Sequence, residues 1–486
     1  MAVRQRYGYS SKASLLGLLL WTHGAAVSAA EAPRSFYVEA GSYATQRESD
    51  PPAYVRNVGR ALDDPSLAWL DAGLEYRLRY EYRDDDIRRP DPTDTDKPML
   101  KRTRAWLGAR TAYDPLRFAI ELTDSREHAG HYPQDNRDVN KVEPIQAYTE
   151  LHFATAFGTD PRGAARPLTL RHGRMAFEVL DRRLVARNEW RNTSNSFTGT
   201  RVQLGTDAND WSLDAWSLHP LTRLLERLDT PSDDVRFDAL ILHWRRWSSR
   251  LTIEPHFFHL RQRPTLANGL RARDLLAPGL RVHGQAADAA LTWDVSLMKQ
   301  HGNDQGQRSA ARALTAELGY TWRSLRWRPR LSGFYGYASG DEDPDDRLNQ
   351  RFERFYGFAR PWSADDYFVF ENLRAPKLRL EFQPWPGVRV DAGYSEYRLA
   401  SRRDRLFTLL AGSAANRDRS GHSGSELGQN WDLRIRFNPA QHLQATLGYS
   451  SFRHGGFVQQ RQRLATGTTT DDSDFLYLEL LWRWFE

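Results

Sequence analysis

The stretch Leu74–Arg83, LEYRLRYEYR, alternates without a break, with Leu74, Tyr76, Leu78, Tyr80 and Tyr82 interleaved by Glu75, Arg77, Arg79, Glu81 and Arg83. Successive side chains of a β-strand point to opposite faces, so this segment is a strand with one oily and one salty side. A helix needs apolar residues near a 3.6 period, which the run does not offer. A single strand of this kind suits a soluble sheet with a solvated back as well as a membrane barrel with a wet interior. The rest of the chain decides between them. The same alternation returns in LRFAIELT (116–123), KLRLEFQ (377–383), VRVDAGYS (388–395), WDLRIRFN (431–438) and the closing LYLELLWRW (476–484).

Short turns rich in Pro, Gly or Asn join many of these strands, as in YDPL (113–116), QPWPG (383–387) and NPAQ (438–441). Other connections are long and polar: residues 83–98, 128–142, 339–350 and 403–426. Short turns at one rim and long loops at the other are the pattern of outer-membrane barrels, and the 16 Trp and 20 Tyr supply residues for interfacial girdles. At about 20 to 25 residues per strand and its share of the connections, residues 71–486 predict roughly 16 to 20 antiparallel strands. A barrel that wide is expected to enclose an aqueous lumen instead of a packed core.

The first residues read as a secretory leader. Arg4, Arg6 and Lys12 precede the apolar ASLLGLLLW, and HGAAVSAA ends in small residues, so cleavage is expected after Ala29 or Ala30 and residues 1–30 are assigned to a signal peptide. Residues 31–70 are less regular and are expected to pack inside or beneath the barrel. Beyond the leader no apolar run approaches the length of a membrane helix, and mean hydropathy is −0.68. Cysteine is absent, which removes thiolate metal sites and cysteine nucleophiles from consideration.

Signals for catalysis or metal binding are weak. His128 with His131, and His256 with His259, lack a third ligand at a telling spacing, so hydrogen-bonded histidine is the favoured reading. SGDEDPDD has carboxylates enough for calcium but not the spacing of a cage, and reads as a solvated loop. No catalytic residue, metal or cofactor is assigned. The strong signal is arginine: the formal charge is +6, and of 68 basic residues only positions 12, 97, 101, 141, 299 and 377 are lysine. With the apolar face toward lipid, Arg77, Arg79, Arg117, Arg379, Arg389, Arg434 and Arg436 point inward together with Glu75, Glu81, Glu121, Asp391 and Asp432. Guanidinium groups bind carboxylates bidentately and stay charged, so this wall is expected to select anions; the competing reading is a purely structural ion-pair ladder.

RTAYDPLRFAIELTDSR (110–126), DVNKVEPIQAYTEL (138–151), LTLRHGRMAFEVLDRRLVARNEWRNTSNSFTGTRV (168–202), YASGDEDPDD (337–346) and SELGQNWDLRIRFNPAQHLQATLGYSSFRHGGF (425–457) together resemble the alginate export family. The resemblance implies a monomeric outer-membrane barrel of about 18 strands with an arginine-rich constriction. It adds Arg174, in HGRM, and Arg183 and Arg191, around NEWRNTSNSF, as conduit-lining candidates. The expected function is passage of an anionic, alginate-like polysaccharide across the bacterial outer membrane, in export, with outer-membrane lipid and a periplasmic tetratricopeptide-repeat scaffold as further partners and no nucleic acid. Two other readings stand beside it: an anion-selective uptake porin for acidic oligosaccharides, and a secreted polysaccharide-binding β-protein.

Overall fold

Strand β1, Leu70–Asp84, turns its charged side inward. Glu75, Arg77, Arg79, Glu81 and Arg83 are buried, whereas Leu74, Tyr76, Leu78, Tyr80 and Tyr82 are half-buried on the outside. The computed structural model describes residues 47–89, 94–111, 115–246, 250–286, 288–411 and 413–484; the leader assigned to residues 1–30 lies outside them. Seventeen further long strands follow, each antiparallel to the next: β2 Met99–Arg110, β3 Leu116–His128, β4 Asn140–Phe153, β5 Leu168–Met175, β6 Phe197–Leu204, β7 Trp211–Thr222, β8 Val235–Trp244, β9 Leu251–Gln262, β10 Arg273–Ala286, β11 Leu291–Asp304, β12 Gln307–Thr321, β13 Arg330–Ala338, β14 Leu373–Trp385, β15 Val388–Leu399, β16 Glu426–Ala440, β17 Leu443–His454 and β18 Asp472–Trp484. The ring closes where β18 pairs with β1, from Leu74 opposite Trp484 to Asp84 opposite Asp474. Closure leaves no unpaired sheet edge, which lipid would not tolerate.

The outside is an apolar band. Leu107, Leu122, Leu240, Leu297, Leu318, Leu378, Leu433 and Leu478 are all exposed. Water would disfavour so many exposed leucines, whereas hydrocarbon accepts them. Aromatic residues mark the short-turn rim, where Trp69, Phe157, Trp322, Trp327, Trp385 and Trp484 are exposed, and the rings of Trp482 and Trp484 stack at 4.8 Å. Leu480, outward and in register with Leu78 and Ala445, sits in the band. Leu480→Arg is expected to lower barrel stability by about 2–4 kcal/mol, read from the denaturant midpoint in liposomes.

The expected open lumen is not what the inside contains. Two long-rim connections, residues 176–196 between β5 and β6 and residues 339–372 between β13 and β14, fold into the barrel and build an apolar core there. Phe177, Leu180, Leu184, Phe355 and Trp362 meet the inward side chains Phe197, Leu218, Phe237, Ile241 and Phe258. Phe237 lies 5.6 Å from Phe258 and 5.5 Å from Phe355, centroid to centroid. The cause is local sequence: ALIL in β8 is apolar on both faces, so its inner side needs a cover. The two loops also join each other across the interior, Tyr356 N donating to Leu184 O at 3.0 Å and Phe358 N to Arg182 O at 3.0 Å.

At the long rim, helix α1 (Gly456–Thr466) is tied to the 400–425 loop by Arg461, which donates to the carbonyls of Ala415 and Arg417 at 2.8 and 2.7 Å. The acidic loop is clamped from the same side: Asp341 pairs with Arg417 at 3.2 Å and Asp345 with Arg419.

Candidate conduit and its arginine clusters

The sequence-predicted arginines fall into separate groups. On the first wall, Arg77 grips the inward loop, donating to Glu189 O and Arg191 O at 2.8 Å each and to Asn192 Oδ1 at 3.0 Å, and lies 3.8 Å from Glu479. Arg79 donates to Trp190 O at 2.6 Å and reaches Glu81 at 2.7 Å and Glu479 at 3.5 Å. Trp190 is held between two cations, Arg79 at 4.1 Å and Arg360 at 3.5 Å from its ring centre. Beside them Glu75 takes Arg104 at 2.6 Å and Arg102 at 3.3 Å, and Arg104 reaches Glu189 at 2.8 Å. Burial works against ionisation of Glu189, but Arg104, Arg102 and Arg187 outweigh it and hold its carboxyl below the usual range.

On the C-terminal wall Arg379, Arg434 and Arg436 converge on Asp391, at 2.7, 2.8 and 3.4 Å. Three guanidinium groups on one carboxylate leave local positive charge; Arg379 also reaches Asp432 at 3.6 Å. A cavity of about 180 Å³ lies between this cluster and Arg77, Trp190 and Arg360. Arg389, in register with Arg436, is exposed at the short-turn end of β15.

A third cluster sits toward the long rim. Asp366, on the 339–372 loop, takes Arg137 at 2.6 Å, Arg191 at 3.4 Å and Arg88 at 3.8 Å. Burial raises the Asp366 carboxyl, yet Arg191, Arg137 and Arg88 together keep it below the ordinary carboxylate range. Free space here is about 30 Å³, one water's worth, so this is the tightest of the three cavities along the arginine clusters. The remaining candidates lie apart: Arg174 pairs with Glu143 and donates to Asp229 O at 2.9 Å, Arg183 pairs with Asp181 at 2.7 Å under the Phe334 ring at 4.6 Å, and Arg117 lines a cavity at the short-turn mouth, 3.9 Å from Glu150.

Sequence reasoning missed the loop arginines. Arg223, Arg354 and Arg360 have no carboxylate within 4.0 Å among the described residues; Arg223 instead donates to Thr193 Oγ1 at 3.2 Å, and Arg360 to the Tyr477 hydroxyl at 3.1 Å. Burial and the nearby Arg191 push the Arg223 guanidinium down to about 10, still protonated at neutral pH. No periodicity marks these positions, because they lie on loops. Among the described residues the histidine pairs hold no metal site: His131, in the loop after β3, meets Asp94 at 3.0 Å, and residues three apart on a strand face opposite ways, so His256 is buried inside while His259 pairs outside with Asp274 at 2.7 Å.

A closed barrel of 18 antiparallel strands, apolar outside, charged inside and narrowed by inward loops, is a porin-type outer-membrane channel. Solved porins of Pseudomonas aeruginosa share the architecture: OccK2 (OpdF) at TM-score 0.56 and 13% identity, over 86% of this chain and 98% of that one, and OpdQ at TM-score 0.54 and 15% identity, over 85% and 97%. These likenesses carry the fold. Residues 68–470 match the alginate export family, and the chain belongs to that family. No curated protein matches it. The strand-count and outer-membrane expectations agree with these findings, and the short-turn end is the periplasmic one.

Proposed function

We propose that this porin passes an acidic, uronate-type polysaccharide outward through the barrel, using arginines as successive weak carboxylate sites, and that it acts as a monomer supplied by a periplasmic scaffold. The observation that carries the reading is the surplus of guanidinium groups where the loops cross the lumen: three of them on Asp366, three on Asp391, and Arg223, Arg354 and Arg360 without carboxylate partners among the described residues. A uronate exchanging water for these groups gains charge-assisted, bidentate hydrogen bonds. Passage fails if one site binds too tightly, and a series of partly neutralised arginines avoids that. The narrow space at Asp366 means that a sugar passes only when the inward loops shift.

Reversal potentials of the pore in planar bilayers under a salt gradient test the reading. Anion preference, with current blocked by oligouronates and not by neutral oligosaccharides, is expected; a cation-selective unmodified pore refutes it. A pH dependence should accompany it. Burial pushes the Asp365 carboxyl up to about 6, and Asn430 and Ser450 donate to it at 2.8 and 3.1 Å. Because its folded value lies above the unfolded one near about 4, the fold favours the protonated form, and that stabilisation is lost as pH rises through about 6. Anion preference should therefore weaken as pH rises from about 5 to about 7.5, when Asp365 adds a negative charge, and Asp365→Asn should flatten that portion of the curve.

A further inference from the structure

At the short-turn mouth two arginines of the barrel wall meet one carboxylate of the segment that precedes β1. Arg171 and Arg201 face a cavity of about 540 Å³ that Arg117, Tyr148 and Asp214 also line. Each guanidinium is fixed on one edge by the barrel wall. Arg171 donates through Nε and Nη2 to Glu150 at 3.0 and 2.8 Å, and lies 4.0 Å over the Tyr148 ring. Arg201 donates through Nε and Nη2 to Asp214 at 2.9 and 2.5 Å, and lies 4.1 Å over the Phe177 ring. The Nη1 groups are left, and both turn to one carboxylate, Asp50, at 2.8 Å from Arg171 and 3.7 Å from Arg201. At the longer distance Arg201 Nη1 has no hydrogen-bond acceptor among the described residues, although it is buried. Two pre-oriented guanidinium edges, one incompletely satisfied, form a carboxylate receptor.

Asp50 belongs to a strap with a fixed base and a lightly held tip. At the base, Tyr54 donates to Glu121 at 2.6 Å beneath Arg104, and Arg56–Asn57 pairs with Asp71–Ala72 of β1. Gly73 lets the strap lie against β1, since a Cβ there would stand 2.5 Å from Tyr54 O. Beyond Pro51 the tip reaches the wall through polar contacts: Asp50 on Arg171, Glu48 N donating to Glu178 at 2.7 Å, and Arg47 on Asp207 at 2.5 Å. Asp50 and Asp207 keep part of their side chains in water, which weakens these ion pairs although Arg171 is itself buried.

We infer that Arg171 and Arg201 form a receptor for the carboxylate of a uronate at the periplasmic entrance, and that Asp50 occupies it as an internal stand-in until an incoming chain displaces the strap tip. The inference rests on the polymer reading above. Displacement exchanges one carboxylate for another, so the receptor is never left as a pair of uncompensated buried cations.

Full-length protein in planar bilayers, with oligogalacturonate added on the periplasmic side, tests it. Asp50→Asn should lower the half-blocking concentration about tenfold, the gain expected if the strap fills the receptor about nine-tenths of the time. Adding Arg201→Gln to Asp50→Asn should abolish that gain. Equal block of the unmodified and Asp50→Asn pores, or a gain in Asp50→Asn that survives the added Arg201→Gln, overturns the inference and leaves the polymer reading intact. Block of neither pore overturns the polymer reading, and this inference with it.

Discussion

Arg137→Glu together with Arg191→Glu is expected to turn the reconstituted pore from anion toward cation preference, with barrel assembly retained. Both side chains stand on loops against Asp366, so their reversal leaves Arg88, itself paired with Asp86 at 2.6 Å, as the cation nearest Asp366 and makes the tightest cavity among the arginine clusters mainly anionic. At an effective dielectric near 20 a unit charge at 4 Å is worth about 4 kcal/mol, and salt removes much of that. A residue of about 1.4 kcal/mol still moves a permeability ratio tenfold. The wall arginines are a less direct probe. Reversal at Arg77 and Arg79 strips the donors that hold the carbonyls of Glu189, Trp190 and Arg191, so the loop moves as well as the charge. Arg434 and Arg436, which reach the Asp391 carboxylate at 2.8 and 3.4 Å, suit the same experiment on the other wall. Reversal potentials measure all of these, and an anion preference that survives both pairs of reversals would mean that the arginines are a structural ladder.

Glu121→Ala should be among the most damaging single changes, costing about 3–5 kcal/mol, because it removes one partner from a fully buried charge network. The Glu121 carboxylate takes Arg187 at 2.8 Å from the inward loop, the Tyr54 hydroxyl at 2.6 Å from the strap and Gln146 at 2.5 Å from β4, with Arg104 at 3.8 Å. Without it, Arg187 and the strap base lose their common anchor. The heat-modifiable gel shift should then occur at a lower temperature, and the open-state current should become noisier and larger as the 176–196 loop detaches. Glu121→Gln, which keeps the volume and a hydrogen-bond acceptor, should recover part of the thermal loss. Unchanged gel behaviour in Glu121→Ala would show that the loop is held by the apolar core alone.

These experiments share a structural reason: lumen charges and loop positions are coupled. The arginines that alternate so plainly in β1 serve first to bind loop carbonyls, and only the surplus beyond those contacts acts on a passing anion. Selectivity and gating variants in this barrel therefore separate best where an arginine meets side chains only.

The membrane barrel itself was legible in the chain. LEYRLRYEYR, LRFAIELT and WDLRIRFN alternate with a period of two, and that period dictates which residues face lipid whatever else the fold does. Turn chemistry at NPAQ, between β16 and β17, marked the short-turn rim for the same local reason, whereas Tyr113 and Asp114 of YDPL lie outside the described residues. The contents of the barrel were not legible. ALIL in β8 breaks the alternation and signals a covered inner face, but the cover comes from residues 176–196 and 339–372, far along the chain and without periodic pattern. Arg77 and Arg79 could be placed inside from sequence, whereas their engagement with the carbonyls at 189–191 required residues more than a hundred positions apart to meet. Asp366 gathering Arg88, Arg137 and Arg191, and Asp50 reaching Arg171, are products of the same long-range closure. Strand facing is a property of neighbours in the chain and is written there, whereas the partner of each inward charge is chosen by loop packing, which only the tertiary structure decides.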